Sequence, residues 1–217
     1  MNSIQKDIAH LRVEYASKPF DESDLIKDPF EQFSVWLKEA IDANANEPNA
    51  MTLATVRDDG QPTARVVLLK EFNENGFVFF SNFESNKGIE IEKNPKVALV
   101  FCWLEMQRQV RIEGVARKIS AKESDDYFHI RPHGSKIGAH ASPQSKKIEN
   151  RKTLEDRFSE FEKLFSEKPI VRPHHWGGYI VQPVSIEFWQ GRQSRLHDRF
   201  LFSRNTDLSW TIDRLAP

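Results

Sequence analysis

The sequence predicts a mainly β fold, a mostly antiparallel barrel with peripheral helices. Three observations carry this expectation. Short β-rich runs recur from Met51 onward, tight turn sequences join several of them, and the helical segments between others lack the regular crossovers that a parallel sheet needs.

The elements follow in order. Ile4, Ile8, Leu11 and Tyr15 recur at helical spacing, so an amphipathic helix is expected over residues 1–15, ended by Pro19. Asp28 as N-cap, Pro29 in the first turn and Glu31 three residues on open a second helix, which carries Phe33, Trp36, Leu37 and Ile41 and closes by residues 44–49. Strands are expected over 51–56, 63–70 and 77–81, punctuated by Asp58-Asp59-Gly60 and Asn73-Glu74-Asn75-Gly76. A short helix over 85–93 stops at Asn94-Pro95. Strands follow over 97–103 and 109–119, the latter bulged near Gly114. About six strands suggest the barrel. Helices return over 121–130, stopped by Pro132, and over 146–165, where Leu154, Phe158, Phe161 and Phe165 form a core stripe. Strands over 178–181, 185–190, 200–204 and 210–213 complete the chain, which has no internal repeat.

Composition excludes several function classes. The 217 residues fit one domain, and 31 Lys and Arg against 32 Asp and Glu leave a net charge of -1. No global field then favours nucleic acid or an anionic membrane, so anion recognition must be local. The sole cysteine, Cys102, sits in the apolar run 97–103, where a buried, inert thiol is expected. The first sixteen residues lack an apolar signal core and no stretch reaches membrane-spanning length, so a cytoplasmic protein is expected.

Four groups of residues carry chemistry. Glu187-Phe188-Trp189-Gln190-Gly191 precedes Arg195-Leu196-His197-Asp198-Arg199-Phe200, and if the stretch from Arg195 is extended, Arg195, His197 and Arg199 share one face. Two guanidiniums, an imidazole and an indole suit a planar, electron-rich ligand; a solvated strand rim with a satisfied histidine is the better reading of the tripeptide alone, and the second cationic set upstream shifts the weight. Arg65-Val66-Val67-Leu68-Leu69-Lys70 is a strand bracketed by cations whose ends are free to meet phosphate oxygens, although taken in isolation ordinary strand-end charge is the better reading. Ser81, Asn82, Ser85, Asn86 and Lys87 surround a helix N-terminus, where unpaired N–H groups favour a phosphate. Tyr127, Arg131 and Ser135 run from a helix end into a loop containing Pro132 and Gly134, and Gln144-Ser145 adds donors; these are the groups a monoester phosphate needs, alongside the plainer reading of a packed tyrosine and a salt-bridged arginine.

The sequence has no Gly-x-Gly-x-x-Gly, Walker loop, Gly-x-Ser-x-Gly or His-Glu-x-x-His. Pro132 separates His129 from His133, and the adjacent His174 and His175 are expected to point apart, so no metal site is anticipated. A phosphorylated substrate beside a phosphorylated redox cofactor is the economical inference, with hydride chemistry belonging to the cofactor.

These residues resemble the pyridoxamine 5′-phosphate oxidase family of FMN enzymes. The likeness runs from Ile8-Ala9-His10-Leu11-Arg12 through Arg65–Lys70, Gln107-Arg108-Gln109-Val110, Tyr127-Phe128-His129-Ile130-Arg131-Pro132, Trp176-Gly177-Gly178 and Glu187–Phe200 to Ile212-Asp213-Arg214-Leu215-Ala216-Pro217, nearly the whole chain. The resemblance implies an antiparallel FMN-binding split β-barrel, a homodimer with two FMN at the subunit interface. It implies residues 1–45 as a helical segment and lid, and 46–217 as a single barrel domain with a C-terminal dimerisation and substrate region. FMN would be held by Arg65, Val66, Val67, Leu68, Leu69, Lys70, Phe80, Ser81, Asn86, Lys87, Gln144 and Ser145, and lined by Gln109, Trp189 and Arg199. The substrate phosphate would fall to Lys70, Tyr127, Arg131 and Ser135. Arg195, Leu196 and His197 would hold the pyridine, Arg195 and His197 as the catalytic pair, and Arg12 and Tyr15 would close over it.

The implied reaction oxidises pyridoxamine 5′-phosphate or pyridoxine 5′-phosphate to pyridoxal 5′-phosphate with O2 as acceptor, giving H2O2. Two positions depart from the family pattern: Asn86 stands where an arginine is usual, and Val13 replaces a frequent arginine. An FMN reductase of the same fold and a non-catalytic FMN or pyridoxal-phosphate carrier are the alternatives. Nucleic-acid binding is the weakest reading, since basic residues are dispersed among acids.

Overall fold

A computed structural model describes residues 18–217. The helix expected over 1–15, with Arg12, Val13 and Tyr15, lies outside them. Nine strands are present among the described residues: β1 (Ala50–Val56), β2 (Pro62–Leu68), β3 (Glu71–Asn73), β4 (Gly76–Asn82), β5 (Lys96–Trp103), β6 (Arg108–Lys118), β7 (Trp176–Gln190), β8 (Asp198–Arg204) and β9 (Trp210–Arg214). Among the same residues lie five α-helices: α1 (Pro29–Asp42), α2 (Asn86–Lys93), α3 (Ala121–Ile130), α4 (His133–Ala141) and α5 (Arg151–Leu164). Strand order is β2-β1-β5-β6-β7-β4-β3, with β8 on β7 and β9 on β8. Every pairing with a resolved register, such as Leu53 opposite Arg65 and Trp189 opposite Arg199, is antiparallel. No helix among the described residues is long and apolar enough to cross a membrane.

The residues fall into two compact units. The first holds the described residues through Pro48, with Val100–Ile112 and Ser185–Pro217; the second holds Asn49–Leu99 and Glu113–Val184. Each has its own core. In the first, Asp28 caps α1 by accepting from the N–H groups of Phe30 and Glu31 at 2.7 and 3.1 Å, the capping that its sequence encodes. That helix buries Phe33 and Trp36. Trp36 meets Phe188 edge-on at 5.2 Å, Phe33 meets Phe101 at 4.9 Å, and Phe20 meets Phe200 at 5.2 Å. Such T-shaped pairs add to the burial of large apolar area.

The second unit alternates in the way period-2 strands require. Met51, Leu53 and Thr55 of β1 are buried while their neighbours are only partly so. Phe79 stacks on Tyr179 at 5.4 Å. Two glycines permit close backbone approach. At Gly76, φ is +144° and a Cβ would lie 2.2 Å from the carbonyl oxygen of Val181; at Gly114 it would lie 2.4 Å from that of Gln182. Burial runs in phase from Val110 to Ala116, so Gly114 serves close approach and the expected bulge is not formed.

Several expectations are corrected. The strands expected over 178–181 and 185–190 are one fifteen-residue strand that continues through Pro183. Residues 133–141, expected as loop, form α4, since Pro132 ends one helix and opens the next. The helix expected over 146–165 begins at Arg151, where the Asn150 side chain accepts from the Thr153 N–H. Its aromatic stripe is half-buried instead of core: Phe161 and Phe165 flank His140 at 5.4 and 4.8 Å. Cys102 is exposed on β5, its side chain on the outward phase of the strand. Partial desolvation and then the charge of Glu105 push its thiol above the ordinary value, so it stays protonated near neutrality.

Candidate functional site

In the second unit, Arg65 and Lys87 converge. Arg65 projects from β2 and donates to the Leu53 carbonyl at 3.2 Å, to the Thr55 hydroxyl, to the Thr63 hydroxyl at 2.6 Å and to Glu90 at 3.2 Å. Glu90, on α2, also accepts from Thr55 and from Thr63 at 2.8 Å. Burial works to raise the Glu90 pKa, but the two hydroxyls and the Arg65 charge outweigh it and hold the carboxyl below its usual range. Arg65 is thus aimed by a buried counter-ion and two threonines. Lys87, in the first turn of α2, donates to Gln144 at 3.0 Å, and the same Gln144 oxygen lies 3.4 Å from the Ser81 hydroxyl. Burial first, and the Arg65 charge second, lower the Lys87 pKa. Two cations near enough to disfavour one another, beside a helix N-terminus capped by Ser85, form a receptor for a doubly charged anion.

Asn86 stands apart from this pair. It opens α2 and lines a cavity of about 370 Å³ with Arg57, Asp58, Asp59, Glu90 and Lys93. Val66 is exposed on β2, Leu69 is buried, and Lys70 lies beyond the strand end, its N–H donating to the Val78 carbonyl at 2.9 Å.

A second cavity of about 760 Å³ is lined by Lys70, Phe80, Lys118, Ser120 and Tyr127, among others. Tyr127 stacks on Phe80 at 3.9 Å, and Phe80 on Trp176 at 5.3 Å. The Arg131 guanidinium lies over the Trp176 ring at 4.3 Å, and its buried Nη1 has no hydrogen-bond partner. Burial lowers the Arg131 pKa, against which Tyr127 acts. A buried guanidinium nitrogen left with an open donor fits an anionic ligand. Ser135 is exposed in the first turn of α4, and neither it nor Arg131 lines the cavity shared by Lys70 and Tyr127. Ser145 has φ +69°, a left-handed conformation next to Gln144.

In the first unit, the face shared by Arg195, His197 and Arg199 is not formed as expected. Residues Gln193–Arg195 make a 3-10 turn with Ser194 at φ 56° and Arg195 at φ 62°, and β8 begins only at Asp198. The alternation therefore does not reach Arg195, which is exposed, as is Leu196. Trp189 and His197 are nonetheless neighbours, their rings 4.6 Å apart. Trp189 pairs with Arg199 across the ladder, and Gln109 lies half-buried on β6. His197 Nδ1 accepts from the Arg192 N–H at 3.1 Å, so the neutral ring carries its proton on Nε2. Burial, then the charges of Arg195 and Arg199, lower the His197 pKa against the pull of Asp198, favouring that neutral form.

The motif Glu187–Gly191 assigns Glu187 no role by sequence alone. It is buried, accepts from Arg199 Nε at 2.8 Å and from Arg111 at 3.0 Å, and raises the Arg199 pKa. Arg199 also donates to the Ala216 carbonyl at 2.8 Å, which ties the chain end to the ladder. Glu187 shares its strand face with half-buried Trp189, opposite the buried Ile186 and Phe188, so strand phase alone does not signal its burial. The expectation that His174 and His175 point apart is corrected as well, since a ligating atom of each lies within 4.8 Å of the other and of a Glu84 oxygen.

The family model described as pyridoxamine 5′-phosphate oxidase matches residues 37–165, and that of the pyridoxine 5′-phosphate oxidase C-terminal dimerisation region matches 176–217. A pyridoxine/pyridoxamine 5′-phosphate oxidase of Burkholderia lata is 54% identical over 212 residues, 97% of this chain and 99% of that protein. One from Burkholderia mallei is 55% identical with the same coverage. Among solved structures, PhzG from Burkholderia lata 383, in complex with tetrahydrophenazine-1-carboxylic acid, is similar at TM-score 0.86 and 27% identity, over 93% of this chain and 99% of that one. A pyridoxamine 5′-phosphate oxidase-related, FMN binding protein from Nostoc punctiforme shares the fold at TM-score 0.70 and 17% identity, over 88% and 98%. The antiparallel split β-barrel class expected from the sequence is therefore the fold of this chain, which belongs to the pyridoxamine 5′-phosphate oxidase family.

Proposed function

We propose that the chain is an FMN-dependent oxidase that converts pyridoxamine 5′-phosphate and pyridoxine 5′-phosphate to pyridoxal 5′-phosphate, acting as a homodimer. The observation that carries the reading is the pair Arg65 and Lys87, organised by Glu90 and Gln144 into a phosphate receptor. The identity to relatives named for this activity supports it, and the match to a dimerisation region supports the assembly.

Bound FMN would supply the redox chemistry, acceptance of the C4′ hydride and reoxidation by O2 to give H2O2. The chain's own residues bind and orient. Arg65 and Lys87, with Ser81, Gln144 and Ser145, hold the cofactor phosphate, and Val66, Val67, Leu68, Leu69 and Phe80 flank it. Asn86 contributes no charge. Trp189, Gln109 and Arg199 line the flavin, with Arg199 fixed by Glu187 and favouring negative charge beside it. Lys70, Tyr127, Arg131 and Ser135 take the substrate phosphate, for which the open Arg131 donor is suited. Arg195, Leu196 and His197 hold the pyridine, while Arg12 and Tyr15 close over it. His197, neutral and protonated on Nε2, presents a hydrogen-bond donor, so its main contribution is orientation.

The test is anaerobic addition of pyridoxamine 5′-phosphate to the FMN-loaded protein. Bleaching of the yellow flavin, reversed by air with release of peroxide, is expected. An unchanged spectrum, or bleaching by tetrahydrophenazine-1-carboxylic acid alone, overturns the assignment. A carrier would bind pyridoxal phosphate and release no peroxide.

A further inference from the structure

Glu84, His174 and His175 bring one carboxylate oxygen and two imidazole nitrogens within 4.8 Å of one another. His174 Nε2 lies 4.0 Å from Glu84 Oε1, and the two rings are 5.4 Å apart at 80°, so they do not stack. None of the three takes part in the chemistry proposed above.

The backbone holds this cluster together. Glu84 sits in the turn between β4 and α2, its N–H donating to the Asn82 side chain at 2.7 Å. The Phe83 N–H donates to the His175 carbonyl at 2.6 Å, and the Trp176 N–H to the Pro173 carbonyl at 3.0 Å. The β4–β7 ladder ends at Asn82 opposite Trp176, so both turns leave the same end of one strand pair. His175 is oriented further: its Nε2 lies 3.1 Å from the Ala139 carbonyl and donates to it, leaving the lone pair on Nδ1. A histidine whose second nitrogen donates to a backbone carbonyl is set in the tautomer that metal ligation requires.

We propose that Glu84, His174 and His175 form a binding site for a divalent transition-metal ion of the zinc class. Two imidazoles and one carboxylate suit borderline ions such as Zn²⁺, whereas Ca²⁺ and Mg²⁺ require mostly oxygen ligands. Three protein ligands leave a coordination position to water. The Glu84 and His174 side chains are 64% and 92% exposed, so the ion reaches them directly from solvent. Bound there, it would staple the turn that enters α2 to the head of β7.

Zn²⁺ titration of the untagged full-length protein against a chromophoric chelator tests this. Glu84→Gln and His174→Ala are compared in parallel, with circular dichroism confirming the fold; both side chains are exposed and neither supports a core. One saturable site per chain is expected, insensitive to excess Mg²⁺ or Ca²⁺, with each variant weakening Zn²⁺ by at least about ten-fold. No saturable binding, displacement by Mg²⁺ or Ca²⁺, or a smaller loss in either variant, which would place the ion on other histidines, overturns the proposal.

Discussion

Glu187→Gln isolates what the buried carboxylate does for Arg199. The Glu187 side chain is 7% exposed and accepts from Arg199 Nε at 2.8 Å and Arg111 Nη1 at 3.0 Å. A glutamine keeps the shape but offers one oxygen, and its amide nitrogen then faces a guanidinium donor. At least one charge-assisted bond is lost, worth about 1.5–3 kcal/mol. Arg111 is 44% exposed, so its share is screened by solvent, and the loss falls mainly on Arg199, which is 22% exposed. A net destabilisation of about 2 kcal/mol follows, or a fall in melting temperature of about 4–8 °C for a chain of this size. Differential scanning calorimetry measures it, and steady-state oxidation reports whether a loosened Arg199 also lowers kcat. Arg111→Gln should cost less than half as much. A Glu187→Gln melting temperature within about 1 °C of the parent would refute the reasoning.

Other outcomes follow from the same geometry. Arg65→Ala should lose FMN retention and, by stranding buried Glu90, about 2 kcal/mol of stability after allowance for the 22% exposure of Arg65; adding Glu90→Gln should restore much of the stability and none of the FMN, read by denaturant unfolding and flavin fluorescence. Because the Glu90 pKa is lowered, its contribution is complete above the carboxyl's ordinary 4.5 and is lost as pH falls through the lower folded value; Glu90→Gln should therefore flatten stability against pH in that acid window. His197 has its pKa depressed below 6.5, so protonation should cut kcat/KM on the acid side below that value; Arg195→Leu removes one depressing charge, and its acid limb should move to higher pH. An unmoved limb would remove the Arg195–His197 coupling. Gly76→Ala forces a Cβ to 2.2 Å from the Val181 carbonyl at φ +144°, and a loss above about 2 kcal/mol is expected in chemical denaturation.

Local signals were legible wherever the physics is local. Asp28, Pro29 and the 3.6-residue stripe of α1 sufficed for that helix, and period-2 burial sufficed for β1 and β5. Pro132 was ambiguous, because a residue that ends a helix also suits the start of another, and α4 was missed. Pro183 removes a ladder donor, which made β7 read as two strands. The turn at Ser194 and Arg195 has positive φ at two residues without a glycine, a conformation that composition does not signal. At the site, the cations Arg65, Lys87 and Arg199 stood out by type. Their anionic partners did not: Glu90 lies 25 residues from Arg65, and Glu187 lies 12 from Arg199, so only tertiary pairing reveals them.

The chain passes four times between its two units, at residues 48–49, 99–100, 112–113 and 184–185. No single cut releases either unit whole, and removing everything after Val184 strips the first of β8 and β9 while leaving β7 interrupted midway. Neither unit is a continuous stretch that can be excised as a module, and a nick in any of β5, β6 or β7 falls in a strand that both share.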